Sequence, residues 1–265
     1  MTSLQSITVK RLIKDVKFLM NNPLDSEKIF YHHDEDNILL GYALIIGPEN
    51  TPYENGNYLF KFIFPENYPF SPPKVEYYSN DGRTRFNPNL YINKYVCLSL
   101  LNTWRGEGWT SCQSIYSVLL TIQSILSENP LTNEPGFTIN HRDVKSYNKI
   151  IKYKNFEFTI LKFVKYIIYS FIKLKKYNDE KILNYDLANL EFLKLYSYFF
   201  KNILENFNSN IDNFNKQLDD ELYENKSISC NTYSLSTKVI DKQILQNKMN
   251  KYKSLIEKYN IIENL

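Results

Sequence analysis

Cysteine thiolates are intrinsically nucleophilic, and this chain holds three cysteines: Cys97, Cys112 and Cys230. The set is odd and sparse and lacks metal-type spacing, so a disulfide framework is not expected. A reducing compartment is, and there a free thiol can serve as a nucleophile. Cys97 follows the turn-rich stretch from Asn87 to Lys94, which favours exposure. Against that stands the commoner fate of a free cysteine, an inert place in the core, and residue type alone leaves both readings open. His32, His33 and His141 lack metal-ligand spacing, and no glycine-rich phosphate loop is present. No metal and no cofactor are expected.

The elements that must position such a thiol fall into two halves of different punctuation. All seven glycines and all ten prolines lie at or before Gly136, so strands and turns belong to the first half. The remaining 129 residues contain neither breaker and read as almost wholly helical. Charge shifts with them, from −3 over residues 1–136 to +6 over residues 137–265. The net +3 is too small to argue for nucleic acid or a membrane surface. Met1 to Lys14 alternates polar and apolar residues, unlike a signal peptide. The greasiest stretch, Phe158 to Phe171, is interrupted by Lys162 and Lys165, is too short to span a bilayer, and reads as a buried helix. The expected location is the cytoplasm, with the nucleus also open to the chain.

Val9, Leu12, Ile13, Val16, Leu19 and Met20 recur at helical spacing, and Asn22-Pro23 should end that helix. Strand-like runs follow at Lys28–Tyr31, Ile38–Ile46, Tyr58–Phe64 and Lys74–Tyr78, separated by turn clusters, which reads as a meander. From Ile115 to Leu126 an apolar stripe returns to helical spacing, opposite a small polar face. Helix, four-stranded sheet, then helices is an α+β order. Later helices are expected over Asp143–Lys152, Phe156–Lys176, Lys181–Glu205 and Val239–Tyr259, with polar connections at Asn206–Asn215 and Lys226–Thr237. In the last helix Leu245, Met249, Tyr252, Ile256 and Tyr259 form a seam too short for a coiled coil, so packing within the chain is the expected role. Trp104 and Trp109 read as packing residues.

Residues 47–136 contain an ordered set of motifs. Gly47-Pro48, Thr51-Pro52-Tyr53-Glu54 and Gly56 come first, then Phe64-Pro65-Glu66-Asn67-Tyr68-Pro69-Phe70-Ser71-Pro72-Pro73-Lys74-Val75. Arg85-Phe86-Asn87-Pro88-Asn89-Leu90 leads to Val96-Cys97-Leu98-Ser99-Leu100-Leu101, Trp104 and Trp109. Each piece is common; the ordered combination closely resembles the ubiquitin-conjugating (UBC) domain over about residues 5–155. Within that family the chain most resembles the long Z-type enzymes, which share Phe86–Asn89, Gln113–Leu119 and Asn133–Phe137 and carry a helical C-terminal extension.

The resemblance implies a UBC fold with an N-terminal helix, a four-stranded antiparallel meander, a catalytic-cysteine loop and C-terminal helices, followed by an all-helical extension. It implies a catalytic domain over residues 1–159 and an extension over 160–265. It makes Cys97 the thioester cysteine and Asn89 the oxyanion-stabilising asparagine. Asn87, where most members have His, is expected to organise the loop. Ser99 stands at a gate position often held by Asp, and Glu134 is a candidate for orienting the incoming lysine, with an ordinary turn carboxylate as the alternative. Lys10, Arg11 and Lys14 match the family's dock for its activating enzyme, with a solvated helix face as the alternative. Phe70, Ser111 and Cys112 match ligase-contacting loops, although Ser111-Cys112 replaces the family's usual Pro-Ala.

The expected partners are therefore ubiquitin or a ubiquitin-like modifier, an activating enzyme, a ligase and substrate lysines. The first alternative is a catalytically inactive UBC-fold module that binds ubiquitin or a ligase. A cysteine hydrolase pairing Cys97 with His141 is the second.

Overall fold

A computed structural model describes residues 3–176, 197–219 and 227–265. Helix α1 spans Ser3–Asn21 and stops where Pro23 disfavours helical backbone before it, with the Asn22 amide closing on the Phe18 carbonyl at 2.9 Å. Strands β1 (Ile29–His33), β2 (Leu40–Ile46), β3 (Asn57–Ile63) and β4 (Lys74–Tyr77) follow. They form one sheet in the order β1-β2-β3-β4, with Ile29 opposite Ile45 and Phe60 opposite Tyr77 in antiparallel pairs. Helix α2, Ile115–Ile125, begins at a reciprocal cap: the Ser114 and Ser117 side chains each take the other's backbone amide. The expected α+β order is present. Lys28 lies just outside β1 because its backbone is left-handed, at φ 56°. β2 starts later than expected because the Asp34 carboxylate folds the preceding turn, accepting from the Asp36 and Asn37 amides.

The chain divides into two compact units, Met1–Thr51 with Tyr58–Ile139, and Pro52–Asn57 with Asn140–Leu265. In the first, α1 buries Thr8, Leu12, Asp15 and Leu19, a face rotated from the stripe expected from its apolar residues. Ile13 and Met20 are exposed. Burial of the polar pair is compensated by hydrogen bonds: Thr8 Oγ1 donates to the Glu66 and Tyr68 carbonyls, and Asp15 accepts from Arg11 and the Tyr68 hydroxyl.

In the second unit, α3 (Val144–Lys154), a π-helical stretch (Asn155–Lys162) and α4 (Phe163–Lys176) run on without a break. The boundary expected at 159/160 falls inside this run. Gly56 is required by close approach, since a Cβ there would lie 1.7 Å from Asn155 Oδ1. Asn155 Nδ2 donates to the Glu54 carbonyl at 2.9 Å, and Asn57 Nδ2 to the Thr159 carbonyl at 2.7 Å. Thus a short piece of the first half is tied into the second unit.

Helices α5 (Phe200–Ser209) and α6 (Ile211–Leu218) occupy most of the stretch expected to be a polar connection. Phe207, Ile211, Phe214 and Leu218 sit at helical spacing and are buried, which the surrounding asparagines mask in the sequence. A two-stranded hairpin, β5 (Ser229–Cys230) with β6 (Leu235–Ser236), interrupts the otherwise helical extension. The last helix, α7, spans Lys242–Tyr259 and starts later than expected because Asp241 caps it, accepting from the Ile244 amide at 3.0 Å. Leu245, Met249, Tyr252 and Ile256 are buried, and α7 packs against α4 and α6. The expected helix over Lys181–Glu205 lies outside the described residues as far as residue 196. Among the described residues no helix is long and apolar enough to cross a membrane.

Candidate active site

Cys97 lies in the first unit between β4 and α2, on a stretch bridged twice to its neighbours: Tyr95 to Glu76, and Val96 to Leu90. Its backbone pairs reciprocally with Asn89. The Cys97 amide donates to the Asn89 carbonyl at 2.9 Å, and Asn89 Nδ2 donates to the Cys97 carbonyl at 2.7 Å. Asn89 Oδ1 is buried without a hydrogen-bond partner among the described residues. A primary amide has two N–H donors, and one of Asn89's is committed to the Cys97 carbonyl.

Asn87 is hydrogen-bonded both to this loop and to the end of α2. It is fully buried; its Oδ1 accepts from the Asn89 amide at 2.9 Å and its Nδ2 donates to the Ile125 carbonyl at 2.8 Å, fastening the loop to the end of α2. Asn133 Nδ2 donates to the same Ile125 carbonyl at 3.1 Å.

The turn-rich approach suggested an exposed thiol, but Cys97 is only 5% exposed. Its Sγ faces the Thr103 carbonyl at 3.2 Å, so the resting thiol is turned onto backbone and carries its proton. Burial pushes the thiol above its ordinary pKa; the Arg85 guanidinium draws it down and the Glu134 carboxylate adds to the rise. Glu134 is thus within electrostatic reach of the sulfur.

Thr103 is a site residue that sequence reasoning missed. Its hydroxyl accepts from the Leu98 amide at 2.8 Å and lies 2.9 Å from the Val96 carbonyl, holding the segment around Cys97. Its contact with the thiol is made by its carbonyl, which every residue type possesses, so no side-chain signal marks it. Arg85 was also missed as a site residue, although it stands in the quoted motif.

Ser99 opens a 3-10 turn, Ser99–Leu101, that ends on Asn102 in left-handed backbone. Asn102 Oδ1 then accepts from the Trp109 amide at 2.8 Å, closing the loop after the cysteine. Ser99 packs close to Gly106, where a Cβ would lie 3.1 Å from that of Ser99.

The expected docking residues separate. Lys10 and Lys14 are exposed on α1. Arg11 instead points inward: its Nε donates to Asp15 at 2.8 Å, its Nη1 to the Ser111 carbonyl at 2.6 Å, and its Nη2 to the Gln113 carbonyl. It braces the loop that carries Ser111 and Cys112, both exposed. Phe70 is 61% exposed and follows Pro69, whose carbonyl accepts from Trp109 Nε1 at 2.7 Å. Trp109 therefore packs as expected, whereas Trp104 is half exposed. His141 Nδ1 lies 3.2 Å from the Asp143 amide, in the second unit.

Comparison with known proteins agrees with this geometry. The sequence profile described as ubiquitin-conjugating enzyme matches residues 11–155. The chain is 42% identical over 149 residues to ubiquitin-conjugating enzyme E2 Z of Xenopus tropicalis, covering 55% of this chain and 47% of that one. To ubiquitin-conjugating enzyme E2 Z of Homo sapiens it is 50% identical over 116 residues, covering 43% and 33% respectively. To the dual E2 ubiquitin-conjugating enzyme/E3 ubiquitin-protein ligase BIRC6 of Homo sapiens it is 43% identical over 136 residues, covering 48% of this chain and 3% of that one. The chain matches less than half the length of each of these relatives. On the profile match and these identities, the chain belongs to the ubiquitin-conjugating enzyme family and is similar to its Z-type members.

Proposed function

We propose that the chain is an active carrier that accepts ubiquitin, or a ubiquitin-like modifier, from an activating enzyme as a thioester on Cys97 and passes it to a substrate lysine, usually with a ligase. The observation that carries this reading is the reciprocal Asn89–Cys97 pairing, which holds the Asn89 side-chain amide beside the backbone of Cys97.

In charging, the Cys97 thiolate attacks the activating enzyme's thioester carbonyl. A new C–S bond forms, the old one breaks, and the activating enzyme's cysteine leaves as its thiolate. The sulfur must first leave the Thr103 carbonyl, because a thiolate has no proton to donate to it. In discharge, the neutral lysine amine attacks the Cys97 thioester, the C–N bond forms, Cys97 departs as thiolate, and the amine's extra proton passes to solvent. Negative charge builds on the thioester oxygen between these events, where the free N–H of Asn89 stabilises it. The acyl group arrives already activated, so the chain itself needs no nucleotide.

Lys10 and Lys14 are the proposed activating-enzyme contacts, with Arg11 supporting the loop of Ser111 and Cys112, which together with Phe70 is the proposed ligase contact. The three free cysteines fit a reducing compartment, so cytoplasmic residence with access to the nucleus belongs to the same proposal. Incubation with ubiquitin, ATP and an activating enzyme, followed by a non-reducing gel, tests the reading. A thiol-sensitive band shift is expected. Absence of a shift with active partners would favour a binding module, and consumption of preformed conjugates would favour a hydrolase.

A further inference from the structure

The Asn89 side chain stands on the Pro88–Asn89 peptide, which has two polar ends. Its N–H, on Asn89, is held by Asn87 Oδ1 at 2.9 Å. Its C=O, on Pro88, accepts from Arg85 Nη2 at 2.5 Å. The same guanidinium lies over the Tyr91 ring, 3.6 Å from its centroid. Arg85 is itself fixed between two buried neighbours. Thr84 is tied through its amide and hydroxyl to Asp81, at 2.6 and 2.8 Å, and Phe86 is fully buried against Tyr58.

We propose that Arg85 is a positioning residue of the transfer reaction, its planar fork clamping the Pro88–Asn89 peptide and the Tyr91 ring so that the Asn89 amide stays trained on the oxygen of the acyl group held by Cys97. The proposal rests on the thioester reading above. Two properties of arginine are used at once: a directed N–H for the carbonyl and a flat cationic face for the ring. Lysine retains the charge but cannot do both from one plane. The charge has a separate effect, since Arg85 also draws the Cys97 thiol towards ionisation. One side chain therefore acts on the donor by geometry and on the nucleophile by field, and substitutions can separate the two.

The test compares full-length wild type, Arg85→Gln and Arg85→Lys by two measurements. One is single-turnover discharge of the ubiquitin thioester to free lysine. The other is the pH dependence of Cys97 alkylation by iodoacetamide, followed on the Cys97 peptide by mass spectrometry without ubiquitin. Loss of the clamp misplaces the donor, so discharge should fall about 10- to 100-fold in both variants. The alkylation midpoint should rise in Arg85→Gln and stay near wild type in Arg85→Lys. A folding defect alone would not be sorted by charge in this way. Discharge within about twofold of wild type in both variants, or full recovery of discharge by lysine, would overturn the clamp. If wild type forms no thioester, the carrier reading fails. A midpoint in Arg85→Gln that does not move would overturn the charge effect whatever the gel shows.

Discussion

Ionisation is the first demand on Cys97, and the site sets its terms. With burial and Glu134 both raising the thiol's pKa, the thiolate fraction at neutral pH is below that of a free cysteine. Alkylation of Cys97 should therefore climb with pH beyond the range where a free cysteine has levelled. Glu134→Gln removes a raising influence and should move the midpoint down; an unmoved midpoint would take Glu134 out of the site. Cys97→Ala should abolish the thioester and Cys97→Ser should trap a more stable oxyester, since an alkoxide leaves less readily than a thiolate. Normal charging of the alanine variant would redirect attention to Cys112 or Cys230. Asn89→Ala should cost on the order of 10²–10³ in discharge, the usual loss for one oxyanion donor, with charging near normal. Equal losses in both steps would indicate a collapsed loop, because Asn89 also holds the Cys97 carbonyl.

At the scale of elements, α1 shows how far periodicity reaches. Its existence and its end at Asn21 follow from apolar spacing and Pro23, but its buried face does not, because Thr8 and Asp15 are inside and Ile13 and Met20 outside. Burial there depends on partners distant in sequence, such as the Glu66 and Tyr68 carbonyls 58 and 60 residues away. The loop of the proposed site has the opposite character: it is written in a short, ordered run of side chains, Asn87 to Cys97, whereas Thr103 meets the thiol through its backbone carbonyl. Arg11 belongs to the first kind. Arg11→Ala leaves the buried Asp15 carboxylate with the Tyr68 hydroxyl but without its countercharge, and releases two loop carbonyls, so a loss of roughly 2–4 kcal/mol is expected, near the range for breaking a largely buried pair. Lys10→Ala and Lys14→Ala should change stability by less than about 0.5 kcal/mol while slowing charging. Chemical denaturation separates the two classes; an Arg11 variant as stable as the lysine variants would refute the bracing role.

For the whole molecule, residues 160–265 are expected to be dispensable for charging, since the proposed chemistry needs only residues up to 139. The 1–159 fragment nonetheless ends within the π-helical stretch. It lacks Phe214, which packs edge-on against Phe156 with centroids 5.6 Å apart, and Asn206, which donates to the Asn55 carbonyl at 3.0 Å. Removal of such aromatic packing costs about 3–5 kcal/mol, so the fragment should melt earlier than the full chain yet still form the thioester where folded. A well-folded fragment that cannot be charged would refute this. The same threading has a consequence for inheritance and engineering. Because Pro52–Asn57 belongs to the second unit while lying inside the first in sequence, one junction cannot transplant that unit. A graft of residues 140–265 onto another scaffold would arrive without the strand-side peptide that Asn155, Asn206 and Asn213 grip, so recombination must move two segments together or neither.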